Sequence, residues 1–372
     1  MPKDIKFTNY EDSVDDIFTA DADKNGNNNE KIAWYARALY DGSNGNIETI
    51  MKDENVGIKM ESIIAIAGAD TGTKRINFSS AIKLQVIGVT LTLTPSAGGS
   101  AIVISPTSGR VSVSPVVGSG YYTLTYSGSS GIIYANNPLL VDYIYTTDAG
   151  TSVVMDINIF LLRYLLVTNT TSITGSVTNH PLTYLYLSNT HGSIIGDISG
   201  KEIATLRLVN VTLLEGSIDE MPLTTIYCSA APKIDGSITG MPLSTVYLND
   251  VYIAGLITGR TLAYLYLKDM ADRISYGTNT FNVTGTFAIQ LVGTTVFTAS
   301  EYRQLMLDAA AGTWAAGSKP FTITGGDSPG YDDEETPPQL KTAYDTLVAK
   351  GNVVITLPSA WKGGAYPNDF PA

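Results

Sequence analysis

Three stretches decide the fold: LTYLYLSNTHGSIIGDISGK at residues 182–201, IATLRLVNVTLLEGSIDEMP at 203–222 and LTTIYCSAAPKIDGSITGMP at 223–242. Aligned on their first residues, they place apolar side chains at offsets 0, 3 and 5, as in Leu182, Leu185 and Leu187, or Leu223, Ile226 and Cys228. The same pattern continues outward in LRYLLV from Leu162, LSTVYL from Leu243 and LAYLYL from Leu262. The six segments start 20, 21, 20, 20 and 19 residues apart, and a degenerate seventh copy, VDYIYTTD from Val141, precedes them.

Two further positions recur. Seven residues after each start come Asn169, Asn189, Asn210, Ala230, Asp250 and Asp269. Near offsets 11 to 15 lies a second apolar element built around a glycine, from Ile173-Thr-Gly175-Ser-Val177 to Ile253-Ala-Gly255-Leu-Ile257. A strand of alternating residues buries only one face, so coils of about twenty residues form a core by stacking on one another. The Asn or Asp side chain is expected to bond backbone groups where the chain leaves the strand. Glycine permits the tight turn, and Pro181, Pro222 and Pro242 stop one coil from running into the next strand.

The pattern resembles leucine-rich repeats, L-x-x-L-x-L-x-x-N, in a short variety with no room for a full helix; here the asparagine sits one place earlier. An alternative winding such as a β-helix fits the same spacing. The fold expected is therefore mainly β, a leucine-rich-repeat-like solenoid with longer βα units at its C-terminal end.

Four regions follow: an N-terminal module at 1–59, a β-rich segment at 60–137, the solenoid at 138–275 and a C-terminal unit at 276–372. Residues 60–135 hold strand-like runs such as IKLQVIGVTLTLTPS and GYYTLTYSG between Ser-Pro and Gly-Ser turns, and fit opening coils or a small β-sandwich. In the C-terminal unit the order reads β-α-β-α-β, from FAIQLVG at Phe287. Thr298-Ala-Ser-Glu301 is a capping box opening one helix, and QLKTAYDTLVAK before Gly351 is a second. Lys31 to Tyr40 fits helix and strand alike.

Composition excludes several classes. The 372 residues carry a net charge of −12 with only 16% charged side chains, and lack the basic stripe that nucleic-acid binding requires. The opening MPKDIKFTNYEDS has no apolar signal core, and no run suits membrane insertion, so folding in the cytoplasm of the producing cell is expected. A single cysteine, Cys228, permits no internal disulfide and occupies a core offset. The two histidines, His180 and His191, read as solvated turn residues. The carboxylates Asp197, Glu215, Asp219 and Asp235 single out no pair for glycoside chemistry. Asp21, Asp23 and Asn25 open like a calcium loop, but Ile32 stands where the bidentate glutamate belongs. No catalytic set, cofactor or metal site is expected.

The outward offsets are more telling. Offset 2 gives Tyr164, Tyr184, Thr205, Thr225, Thr245 and Tyr264; offset 4 gives Leu166, Tyr186, Arg207, Tyr227, Tyr247 and Tyr266. Stacked coils align these into two ladders about 4.8 Å apart per step. Strand propensity accounts for tyrosine there, as does an aromatic platform for a glycan or protein, or a face buried against a second copy.

The helix-T-L-V-A-K-G-strand ending and the FTITGG strand, over the last 230 residues or so, resemble leucine-rich-repeat virion proteins of bacteriophages infecting Bacteroidetes-like hosts. The resemblance implies a projecting fibre or appendage, assembled into the virion in the host cytoplasm and forming homo-oligomers. It further implies that the N-terminal module joins other virion proteins and that the face meets a host surface glycan. A bacterial leucine-rich adhesin and a glycan-cleaving tail spike are the competing classes.

Overall fold

The computed structural model describes residues 61–358, apart from 71, 107–111, 148–152, 191, 272, 285–288, 296 and 325–338. The N-terminal module, with Asp21, Asp23 and Asn25, lies outside the described residues, as do His191 and the loop before the second helix.

Each coil contributes one strand to each of two walls. The long wall is a fourteen-stranded sheet. Its parallel part begins at Val141–Thr146 and runs through Tyr164–Thr168, Tyr184–Ser188, Thr205–Val209, Thr225–Ser229, Thr245–Asn249 and Tyr264–Lys268. Ile289–Val292, Lys319–Ile323 and Val353–Thr356 complete it. Pairing is in register and parallel throughout, as in Leu185 with Leu206 and Leu206 with Ile226. The short wall has eleven strands, and the glycine-centred element of each coil supplies one of them. The chain is thus a mainly β solenoid with coils of about twenty residues, and the degenerate copy at Val141 is its first long-wall strand.

The core lies between the walls. Offsets 0, 3 and 5 are sealed from solvent at every coil, Leu206, Ile226 and Leu265 included. Opposite them sit Ile173, Ile194, Leu214, Ile234 and Ile253 of the short wall, and one continuous apolar cluster runs from Ile63 to Leu357. Cys228 takes its place there among the leucines, fully buried, with desolvation pushing its thiol up to about 12. That thiol is inert packing.

The β-rich segment is antiparallel, and it extends both walls rather than forming a detached unit. Lys74–Phe78 pairs antiparallel with the first long-wall strand, and Gly120–Ser127 pairs with Lys74–Phe78. On the short wall Glu61–Ile66 joins Val153–Asp156 to Gly131–Ala135. Both sheets therefore cross the 137/138 boundary, and the apolar core continues between the antiparallel strands, Ile76, Leu91 and Leu124 included.

At the other end, helices replace the short wall. Helix α1 (Ala299–Ala311) starts in the expected capping box: Glu301 N donates to Thr298 Oγ1 at 3.3 Å, and Thr298 N donates to Glu301 Oε2 at 2.8 Å. Helix α2 (Gln339–Ala349) packs against α1. Glu301 Oε1 also accepts from Tyr276 N, tying α1 to the last short-wall strand at Ile274–Tyr276. Asp308 completes that joint, accepting from Tyr276 Oη at 2.9 Å, Asn279 N at 2.6 Å and Gln304 Nε2 at 2.7 Å. Desolvation pushes its carboxyl above the usual range despite these donors.

Candidate binding face

Side chains at offsets 2 and 4 point away from the core because those at 3 and 5 point into it. In-register pairing then aligns them across the long wall. One row runs Tyr143, Tyr164, Tyr184, Thr205, Thr225, Thr245, Tyr264. The other runs Arg75, Tyr145, Leu166, Tyr186, Arg207, Tyr227, Tyr247, Tyr266, Gln290, Thr322, Thr356. All eight residues expected on this face therefore share it, and all are half-buried.

The rings stand on edge. Tyr143 stacks on Tyr164 at 4.2 Å between centroids and Tyr164 on Tyr184 at 4.0 Å. In the second row Tyr227 stacks on Tyr247 at 3.7 Å, and Tyr247 on Tyr266 at 4.3 Å and 3° between planes. These separations approach van der Waals contact, so ring faces look toward neighbouring coils and edges with hydroxyls look outward. Arg207 belongs to the stack: its guanidinium lies 4.4 Å from the centroids of both Tyr186 and Tyr227. Both faces of Tyr164, Tyr227 and Tyr247 are thus occupied, and a partner meets phenol edges rather than a flat aromatic floor. Burial pushes the hydroxyls of Tyr164, Tyr247 and Tyr264 well above the usual tyrosine value, so they remain protonated donors.

The turn at the end of each long-wall strand differs from expectation. Residues at offset 7 adopt left-handed backbone, with φ from 48° to 58°, including Ala230 at 49°. Asparagine and aspartate tolerate that region better than most residues, which is why they recur there. The three asparagine side chains bond each other rather than backbone: Asn189 Nδ2 donates to Asn169 Oδ1 at 2.8 Å and Asn210 Nδ2 to Asn189 Oδ1 at 2.6 Å. Only Asp269 meets backbone as anticipated, its Oδ1 accepting from Thr294 N at 3.0 Å.

The opposite corner holds a second ladder that sequence reading missed. Asp197 N donates to Thr178 Oγ1, Ser217 N to Ser199 Oγ, Ser237 N to Asp219 Oδ1 and Leu256 N to Thr239 Oγ1, at 2.7–3.0 Å. Each acceptor follows a buried Val or Ile, and its small polar character in every coil was the available signal. Asp219 therefore has a structural role. The Ser237 N–H and the Ser217 hydroxyl hold it below the usual carboxylate range. Hydrogen bonds from Ser199 do the same for Asp197, which lies beside Glu215 in the short wall. Neither has the raised pKa of a general acid.

His180 is a correction. It is not solvated but 4% exposed, with Nδ1 accepting from Leu162 N at 3.4 Å and Nε2 without a partner. Desolvation, then the charge of Lys201, lower its pKa, so the ring is neutral. It fills the slot that Met221 and Met241 fill two and three coils on.

Among the described residues no group of three or more His, Cys, Asp or Glu is placed to hold a metal ion, and no helix is long and apolar enough to cross a membrane. Compared with protein-family models, curated proteins and solved structures, the chain matches none.

Proposed function

We propose that the chain acts by binding rather than catalysis, as a structural subunit of a projecting phage fibre or appendage whose long wall meets the host surface. The observation that supports this reading is the unbroken Tyr186–Arg207–Tyr227–Tyr247–Tyr266 row. It is a preorganised strip of hydroxyls and one guanidinium on a scaffold held by a continuous core and a corner ladder, with a turn ladder from Asn169 to Asn210. Side chains held in place lose little entropy on binding. The chemistry suits a glycan, whose hydroxyls exchange hydrogen bonds with phenol edges.

Two measurements test the reading. Mass spectrometry and antibody-labelled negative-stain images of particles from the encoding phage should find the chain on a projecting structure; its absence from particles contradicts the virion assignment. An array of bacterial surface polysaccharides probed with the wild type and a Tyr186→Thr/Tyr227→Thr variant should show binding lost at unchanged melting temperature. Threonine already occupies equivalent strand positions, so the variant folds. Equal binding by the two proteins contradicts the role of the face.

A further inference from the structure

Among the described residues Arg207 has no carboxylate partner. In a chain with a net charge of −12, its guanidinium meets two tyrosine rings and, among the described residues, no hydrogen-bond acceptor. Its Nε is buried and unpartnered. The sandwich covers both faces of the guanidinium and leaves the in-plane N–H edge as its remaining bonding capacity. Arg75 is a looser counterpart: exposed, without a carboxylate partner among the described residues, and over a single ring, 5.4 Å from the centroid of Tyr145. Both arginines fall in the same row, separated by the strands of Tyr145, Leu166 and Tyr186. Four strand spacings place them roughly 19 Å apart along the solenoid axis.

From this placement we infer that the long wall reads a linear, carboxylate-bearing polysaccharide laid along the solenoid axis, with Arg207 as the principal anchor and Arg75 as the second. The inference rests on the binding role proposed above and names its ligand class. A planar guanidinium fork matches a carboxylate bidentately, and matches no group of a neutral sugar as well. Between the two arginines lie Tyr145, Leu166 and Tyr186, one per strand; the two tyrosines are half-buried and Leu166 is buried, so a polymer chain running across the strands meets a phenol edge on either side of Leu166. The short wall of a second copy is a poorer match. Its acids do not form a row, since Asp197 pairs with Glu215 but Asp235 pairs with Ser217 and Tyr252.

The test uses three carboxylate-bearing polysaccharides of different linkage (polygalacturonate, alginate and hyaluronate) and the methyl ester of polygalacturonate as a neutral control. Binding is measured by biolayer interferometry on the full chain. At least one of the three should bind about tenfold or more tightly than the ester, and binding should weaken steeply with salt. Arg207→Gln should lower that affinity at least about tenfold, Arg207→Lys less, and Arg75→Gln about threefold, with melting temperatures unchanged. Wild type that binds none of the three overturns the inference, as does Arg207→Gln binding equal to wild type. If acid and ester bind alike and only Tyr186→Thr/Tyr227→Thr loses both, the binding face stands and its anion selectivity falls. If neither polymer binds and Arg207→Gln instead lowers the sedimentation mass, the face joins copies of the chain and both readings fall.

Discussion

Ala230 occupies the left-handed turn that asparagine or aspartate fills in five sister coils, at φ 49°. Alanine has no side-chain compensation for that backbone. Ala230→Asn should raise stability by about 1 kcal/mol, read as a higher urea midpoint at constant slope, and an unchanged or lower midpoint would count against the turn assignment. Gly216 shows the opposite sign. Its φ is 120°, and an added Cβ would run into Asp197 Oδ1 and lie 2.8 Å from Ser199 Oγ of the preceding coil. Gly216→Ala should therefore cost about 2–3 kcal/mol. His180 makes stability depend on pH. Unfolded, it takes up a proton near its ordinary value of about 6.5; folded, it does so only at lower pH. Between those values the unfolded chain binds more protons, so stability falls as pH drops through about 6.5 and is unaffected well above it. His180→Met, copying Met221 and Met241, should remove that fall between pH 8 and 5.5, whereas a variant with the wild-type slope would contradict the buried, neutral ring.

At the scale of elements, the joint between α1 and the last short-wall strand hangs on Asp308. Replacing it by alanine leaves Tyr276 Oη and Asn279 N without acceptors and should cost about 3 kcal/mol. In a stacked array that loss is local. Hydrogen exchange should accelerate in Ala299–Ala311 and Ile274–Tyr276 while Thr205–Val209 keeps its protection; uniform acceleration would mean a single cooperative unit instead. The elements also show what sequence makes readable. The long-wall strands were legible because three buried positions recur in each coil, and the α1 cap because Thr298 and Glu301 satisfy each other locally. Lys74–Phe78 was not, because it lies in the sheet between Val141–Thr146 and Gly120–Ser127, partners far away in the chain that no period announces. Arg75 was missed as a member of the row for that reason. His180 was misread because Asn-His-Pro looks like a turn, although its offset matches the buried methionines.

At the scale of the molecule, function follows from register. The Tyr–Arg row exists only if successive coils stack without slipping, because a one-residue slip would turn every outward ring into the core. Edge-on stacking was invisible in the sequence, since it depends on ring rotation set by the neighbouring coil. The row itself was legible as two outward offsets. The most direct test of the in-register solenoid is a series of nitroxide spin-label pairs in one row, with one label at Tyr145 and the second at Arg207, Tyr247 or Thr322. The buried Cys228 thiol stays unlabelled. Three, five and eight strand spacings separate these positions from Tyr145. Double electron–electron resonance should give separations that grow by about 4.8 Å per spacing, to about 38 Å for the longest pair. Distances that scatter, or that stop growing between Tyr247 and Thr322, would contradict the continuous wall on which the binding face depends.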